Sequence, residues 1–185
     1  MANINDFKSL MLGGGARPNQ FRVILSFPAD LSISTGVFAA KKAEFLCSAT
    51  SLPGSSISNV AVAYRGRTVN FAGERSFQPW NVTVYTDVDF DIRNAMEEWQ
   101  GKVQNYAATN GVTNPVSYQS DMRVEQLDRN GAVLKTYIFK DAFPTVIDAI
   151  QLNYASDNQI ESFGITFQYN YFTSESTDQD NSRTS

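Results

Sequence analysis

Val69-Asn70-Phe71-Ala72-Gly73-Glu74-Arg75-Ser76-Phe77-Gln78-Pro79-Trp80-Asn81-Val82-Thr83-Val84-Tyr85-Thr86-Asp87 decides the fold, together with the helical run that follows it to Gln100. Trp80, Val82 and Val84 point one way and Asn81, Thr83 and Tyr85 the other, which is the alternation of a half-buried strand. Ile92, Met96, Trp99, Val103 and Tyr106 then recur at steps of four, three, four and three residues, one apolar stripe at helical period. Asp87, Asp89 and Asp91 crowd the start of that helix, where acidic groups complement the dipole and cap free N–H groups. The same spacing imitates the opening of a calcium loop, with Glu98 in twelfth place. Ile92 stands where that loop needs glycine for a sharp turn, so capping is the reading adopted and no metal is expected.

Upstream, Phe21, Val23, Leu25 and Phe27 share one face of a strand that Pro28 ends. Glu44 to Ala49 reads as a second strand, with Cys47 on the same face as a core residue, Phe45, and Leu52-Pro53-Gly54 closing it. Ser55 to Tyr64 is rich in Ser, Ala and Val, and Arg65-Gly66-Arg67 follows as a turn. This reads as an extended excursion in the manner of a long hairpin, with little to anchor a core and hence free to serve a partner. Residues 1–15 end in Gly13-Gly14-Gly15 and are expected to form a mobile arm with a hinge. The phosphate-loop reading fails, because no Lys-Ser/Thr follows the glycines and no strand precedes them.

Downstream, Asp128-Arg129-Asn130-Gly131 between Asp121–Gln126 and Val133–Phe139 is a hairpin signal. Phe143-Pro144 is expected to break the chain, and Ile150 to Tyr154 to form a short strand. In the last strand Phe163, Ile165, Phe167, Tyr169 and Tyr171 occupy one face; Ser162, Gly164, Thr166, Gln168 and Asn170 occupy the other. The second face is polar and uncharged, whereas solvent faces usually carry Lys and Glu that also discourage edge pairing. Residues 173–185 have no apolar member and are expected to be disordered, which leaves 16–172 as the folded domain. The elements add up to a mainly β protein, an antiparallel sandwich or barrel with one principal flanking α-helix. Its core includes Phe45, Trp80, Val82, Val84, Met96, Trp99, Phe163, Ile165 and Phe167.

Composition removes whole classes of function. The 185 residues carry a net charge of −4 with no clustered Lys/Arg stripe, which argues against a dedicated nucleic-acid binder. No histidine is present, so Ser-His and Cys-His pairs and His-ligated metal sites are excluded. The single Cys47 reads as a small buried hydrophobe, and no intramolecular disulfide can form. No apolar run is long enough to cross a bilayer as a helix. A carboxylate-only hydrolase is the remaining enzymatic alternative, through Glu97 and Glu98 or Asp89 and Asp91. These are more simply solvent-facing or capping, and no catalytic residue or cofactor is expected.

Five blocks carry a resemblance. Ala16-Arg17-Pro18-Asn19-Gln20-Phe21 with Val23, Phe45-Leu46-Cys47 with Ala49-Thr50 and Leu52-Pro53, Val69 to Phe77 with Trp80, Val82-Thr83-Val84 and Asp87, Glu98-Trp99-Gln100, and Asn158-Gln159-Ile160 with Phe163 follow in order. The chain resembles the tail tube proteins of contractile-tailed, T4-like bacteriophages from Ala16 to Phe172. It departs from that pattern in Phe27 to Lys42, in the Gly-rich arm and in the polar tail.

The resemblance implies a virion subunit assembled in the host cytoplasm. Homohexameric rings would close a continuous inner β-barrel and stack into a hollow conduit for genome ejection inside a contractile sheath. Partners would be further copies, the tail sheath, tape-measure, baseplate and tube-terminator proteins. DNA would pass without specific binding, and this chain would not insert in a membrane. A related contractile injection or type VI secretion tube is the structural alternative. A conduit must not hold a polyanion, so Asn81, Thr83, Thr166, Gln168 and Asn170 are expected to face the lumen. Ser55, Ser56, Ile57, Ser58 and Asn59, with the N-terminal arm, are expected to make ring-stacking contacts.

Overall fold

The computed structural model describes residues 3–11, 14–108 and 110–175. In chain order the elements are α1 (Ile4–Leu10), β1 (Phe21–Ile24), a 3-10 turn (Ala29–Leu31), α2 (Gly36–Leu46), β2 (Cys47–Thr50), β3 (Ser55–Tyr64), β4 (Arg67–Phe77) and β5 (Trp80–Tyr85). They continue with α3 (Asp91–Val103), α4 (Pro115–Tyr118), β6 (Ser120–Leu127), β7 (Val133–Ile147), β8 (Ser162–Gln168) and β9 (Tyr171–Ser174). The expected antiparallel β architecture is present: the strands run β1-β6-β7-β8-β5-β2, with β9 also on β7, and β3–β4 form a separate pair.

The 15-residue β7 joins the two halves of the barrel. Its first part pairs with β6 and β9, and Phe143 to Ile147 pair with β8. Phe143-Pro144 therefore does not break the chain. Pro144 is a buried member of β7 beside a register shift, the position in a ladder where a residue without an N–H is tolerated. The bend falls at Asp141, whose φ is +58°, and its counterpart is the gap between β8 and β9. There the Asn170 N–H donates to the Lys140 carbonyl at 3.1 Å and the Asn170 amide to the Asp141 carboxylate at 3.0 Å. This bend moves Tyr171 out of phase: Phe163, Ile165, Phe167 and Tyr169 are buried, but Tyr171 is 47% exposed and Phe172 packs inward instead.

The core forms where the curled sheet brings β5 over β7. The Trp80 ring stacks on Phe139 with centroids 4.2 Å apart, Phe167 tilts against Trp80 and Tyr169 meets Phe139 edge-on. Val82, Val84, Ile165 and Phe163 extend it, and α3 closes it with Ile92, Ala95, Met96 and Trp99. The Trp99 indole N–H donates to the Tyr118 carbonyl at 2.9 Å, which satisfies the one polar atom of a fully buried side chain. The stripe stops at Val103; Tyr106 lies beyond the helix and is 73% exposed.

One region differs sharply from its sequence reading. Glu44 to Leu46 are the last turn of α2, not a strand, and Phe45 is 83% exposed, not part of the core. The 11-residue helix buries Gly36, Ala39 and Ala43 against β1 and α3. Small residues let helices approach closely but contribute little to an apolar period, so only the two-residue spacing of Phe45 and Cys47 stood out. Two longer helices therefore flank the sheet where one was expected. Ile150 to Tyr154 form no strand, and Leu152 and Tyr154 project into solvent. At the ends, the arm contains the helix α1, and β9 spans Tyr171–Ser174. The rest of the polar tail, residues 176–185, lies outside the described residues.

Candidate assembly and channel surfaces

Two surfaces stand out, and the first is the outward face of β5 and β8. Asn81 stands opposite Thr166 and Thr83 opposite Gly164. The Thr166 hydroxyl donates to the Asn81 side-chain oxygen at 2.8 Å, and Gln168 follows on the same face of β8. Neighbouring hydroxyls extend the belt: Thr145 donates to the Thr166 carbonyl, Thr50 to the Asn81 carbonyl and Ser48 to the Thr83 carbonyl. The structure thus brings Asn81, Thr83, Thr166 and Gln168 together. Asn170 is set apart at the β8–β9 bend, engaged with Asp141. The carboxylate of Asp148 lies directly over Gly164, in the space a Cβ there would need, so this belt carries a negative group at its edge.

The second surface is the arm formed by β3 and β4. Arg65 and Gly66 make its turn with φ of +46° and +80°, the paired left-handed geometry of a tight hairpin. Every residue of β3 is exposed, and on β4 only Gly73 and Phe77 are half-buried. Phe77 anchors the base against Tyr169 and Phe172, with centroids 6.0 and 5.6 Å away. A bulge lies between Ile57 and Asn59, and a side chain at Gly73 would run into Ser58 there.

The two faces of the arm differ. Val60 opposes Phe71 and Val62 opposes Val69, and with Tyr64 they form an apolar ladder in which each side chain is 43–63% exposed. Asn59, Ala61, Ala63, Thr68, Asn70 and Ala72 make the small, polar reverse face, where Asn59 donates to Asn70 at 3.0 Å. The residues nominated from sequence, Ser55, Ser56, Ile57, Ser58 and Asn59, form the base and bulge. Ser56 bonds across to Ser76 and Ser55 to Arg75. Sequence reasoning passed over the ladder itself, although the alternation Val60, Val62, Tyr64 answered by Val69 and Phe71 was its readable signal.

The groups with chemical potential are engaged structurally. The carboxylate oxygens of Asp87, Asp89 and Asp91 lie within 4.8 Å of one another, but the Lys42 ammonium pairs with all three. These hydrogen bonds, to Asp87 first, raise the Lys42 pKa above its usual range. The expected carboxylate cap is therefore absent: the N-cap position is Phe90 in the left-handed region, with no side-chain cap bond, and the acids tie α2 to the start of α3. Glu97 pairs with Arg93 at 2.5 Å and Glu98 with Lys102 at 2.6 Å. Hydrogen bonding to Lys102, and then to Ser34, holds the Glu98 carboxyl below its usual pKa. Burial pushes the Cys47 thiol up to about 11, away from the reactive thiolate. Neither acid pair nominated for hydrolysis spans a cleft with both carboxyls free.

An antiparallel barrel with two flanking helices, an anchored hairpin arm and an uncharged outer belt describes an assembling structural subunit. The chain belongs to the phage tail tube protein family, whose model matches residues 16–175. It is 31% identical to the tail tube protein gp19 of Enterobacteria phage T4, over 86% of this chain and 92% of that one. It is 29% identical to the tail tube protein of Serratia phage KSP90, over 91% and 95%. Among solved structures, it matches a chain of the PVC sheath-tube complex of an extracellular contractile injection system with a TM-score of 0.57 at 15% identity, covering 91% of this chain and 96% of that one. A chain of the anti-feeding prophage tube-terminating cap matches with a TM-score of 0.58 at 20% identity, covering 87% and 91%. At these identities the two structures show the shared fold alone.

Proposed function

We propose that this protein is the structural subunit of the tube of a contractile phage tail. Its copies close into hexameric rings by pairing edge strands, and the rings stack into the conduit through which the genome leaves the virion. The single observation that carries this reading is the uncharged belt of Asn81, Thr83, Thr166 and Gln168 on adjacent strands of a tail tube family fold. A lumen of hydroxyls and amides offers DNA no cationic contact to hold it, and Asp148 at its edge repels the backbone. Phe167 and Tyr169 are buried inside the subunit, which supports the polar side as the channel side.

The arm makes the ring-to-ring contact. A two-stranded hairpin is marginal in water by itself, so an apolar ladder along its length supports a neighbouring copy as its cover. Sheath, baseplate, terminator and tape-measure proteins are the other partners of such a tube. The injection-system reading shares this fold; identity to phage tube proteins at 29–31% over most of the chain favours the phage tail. Negative-stain electron microscopy of purified protein, with and without baseplate as a template, tests the reading. Rings or hollow tubes are expected, and solid fibres or a monomer that never assembles on baseplates would refute it.

A further inference from the structure

Besides the arm, two apolar surfaces among the described residues are uncovered, and each has the shape and charge to take the other. The first is α1. Ile4, Phe7, Leu10 and Met11 form a stripe along it, 67%, 63%, 85% and 45% exposed, and no residue of the helix is buried. Its capping box is complete: the Asn3 side chain accepts from the Asn5 N–H at 3.3 Å and the Asp6 carboxylate accepts from the Asn3 N–H at 3.3 Å. A seven-residue helix is too short to persist in water on propensity, so a capped one with a bare apolar stripe is suited to a groove.

The second surface is a groove of about 570 Å³ beside α2, lined chiefly by Leu25, Phe27, Pro28, Ile33 and Val37, with Lys41 among its residues. Lys41 is exposed and makes no ion pair among the described residues. Val37 and Phe38, 74% and 64% exposed, continue the apolar surface along α2. The groove's lining runs from Leu25 to Lys41.

We propose that the α1 helix of a second copy lies in this groove, its Ile4, Phe7 and Leu10 against Phe27, Ile33 and Val37 and its Asp6 toward Lys41. The inference rests on the tube-subunit reading, which supplies the neighbouring copy. The carboxylate next to Phe7 complements the unpaired ammonium of the groove. The chain leading from its own helix is held at the far end of β1. The Gln126 amide grips the Arg17 and Gln20 carbonyls at 2.7 and 2.6 Å, and Gly14 lies near Arg129 in the β6–β7 turn. Both anchors sit at the Phe21 end of β1, whereas the groove opens beyond Ile24 at the other end. A stripe of four side chains buries far less than the roughly 800 Å² per partner of a stable dimer. The contact therefore forms where assembly holds copies close, not between free monomers.

The test places p-benzoylphenylalanine at position 7 of the full-length protein and irradiates tubes or rings assembled from mixed light and heavy-isotope chains. The expected product is a cross-linked dimer containing light–heavy pairs, with the second peptide inside residues 25–41. Cross-links to 25–41 within one chain only, cross-links elsewhere, or none, in particles that microscopy shows to be rings or tubes, overturn the docking and leave the tube reading standing. A sample that forms no rings or tubes even on baseplates counts against the tube reading, and the docking falls with it.

Discussion

Val60 and Phe71 stand directly opposite each other on the arm, and both remain about half exposed, at 49% and 56%. A cross-strand pair of this kind contributes about 0.2–1 kcal/mol within one subunit. Its larger value lies in what it can cover. Phe71→Ser should therefore change subunit stability by less than about 1 kcal/mol in urea titration while strongly shortening or abolishing tubes seen by electron microscopy. Tubes of normal length would remove the ladder from the stacking contact. Deleting residues 55–58 should likewise leave a folded subunit that fails to elongate.

The lumen assignment predicts a charge effect. Thr166→Lys adds one cation per subunit beside Asn81, on a belt whose other groups are uncharged or, at Asp148, negative. Assembly should be unaffected, but DNA ejection should slow and become salt-sensitive, the penalty falling as added salt screens the contacts. Ejection kinetics measured by dye uptake at low and high salt would show this. An ejection rate equal to wild type in both would place Thr166 away from the DNA.

Gly164 leaves room for its neighbour. A Cβ at this position would enter the space of the Asp148 carboxylate, and the Asp148 N–H donates to the Gly164 carbonyl at 2.9 Å. Gly164→Ala should push the exposed Asp148 carboxylate aside at a cost of less than about 1 kcal/mol. In the Asp148→Gly background the same change should be milder, so a double-mutant cycle in chemical denaturation should give a non-zero coupling. Additive effects would mean that the two residues do not compete for space.

Glu98 sets an acid-side dependence. Its folded pKa lies below the usual 4.5, chiefly through Lys102. The stabilisation is therefore present above pH 4.5 and is lost as pH falls through the lower folded value. Glu98→Gln should cost at most about 1 kcal/mol near pH 7, the pair being partly exposed, with the difference from wild type shrinking toward zero in strong acid. Melting temperatures of both proteins across pH would test the sign. A difference that grows on acidification would contradict it.

Much of this molecule was legible because half-buried elements write their facing side into the sequence. Trp80, Val82 and Val84 on β5, Met96 and Trp99 on α3, and Phe163, Ile165 and Phe167 on β8 alternate or recur at the period of their element, and all are at most 3% exposed. The Asn130-Gly131 turn has its glycine at φ +79°, and the five ordered blocks pointed to the family that matches residues 16–175. These features are local: a few neighbouring residues suffice to state them.

Other features depend on contacts between residues far apart, and only the tertiary structure decided them. The α2 helix is held by Gly36, Ala39 and Ala43, too small to mark a period, so Phe45 read as core and lies in solvent. Lys42 sits among Asp87, Asp89 and Asp91 although about 45 positions separate it from them, which turned an expected cap into an ion-pair cluster. The bend at Asp141 and Asn170 redirected Tyr171 outward, because one strand must serve two halves of a barrel. The exposure of the arm's apolar ladder, as distinct from its alternation, lies further still from local reading. Periodicity states that a face is apolar; whether that face meets its own core, or the surface of another copy, is set by the packing of the whole chain.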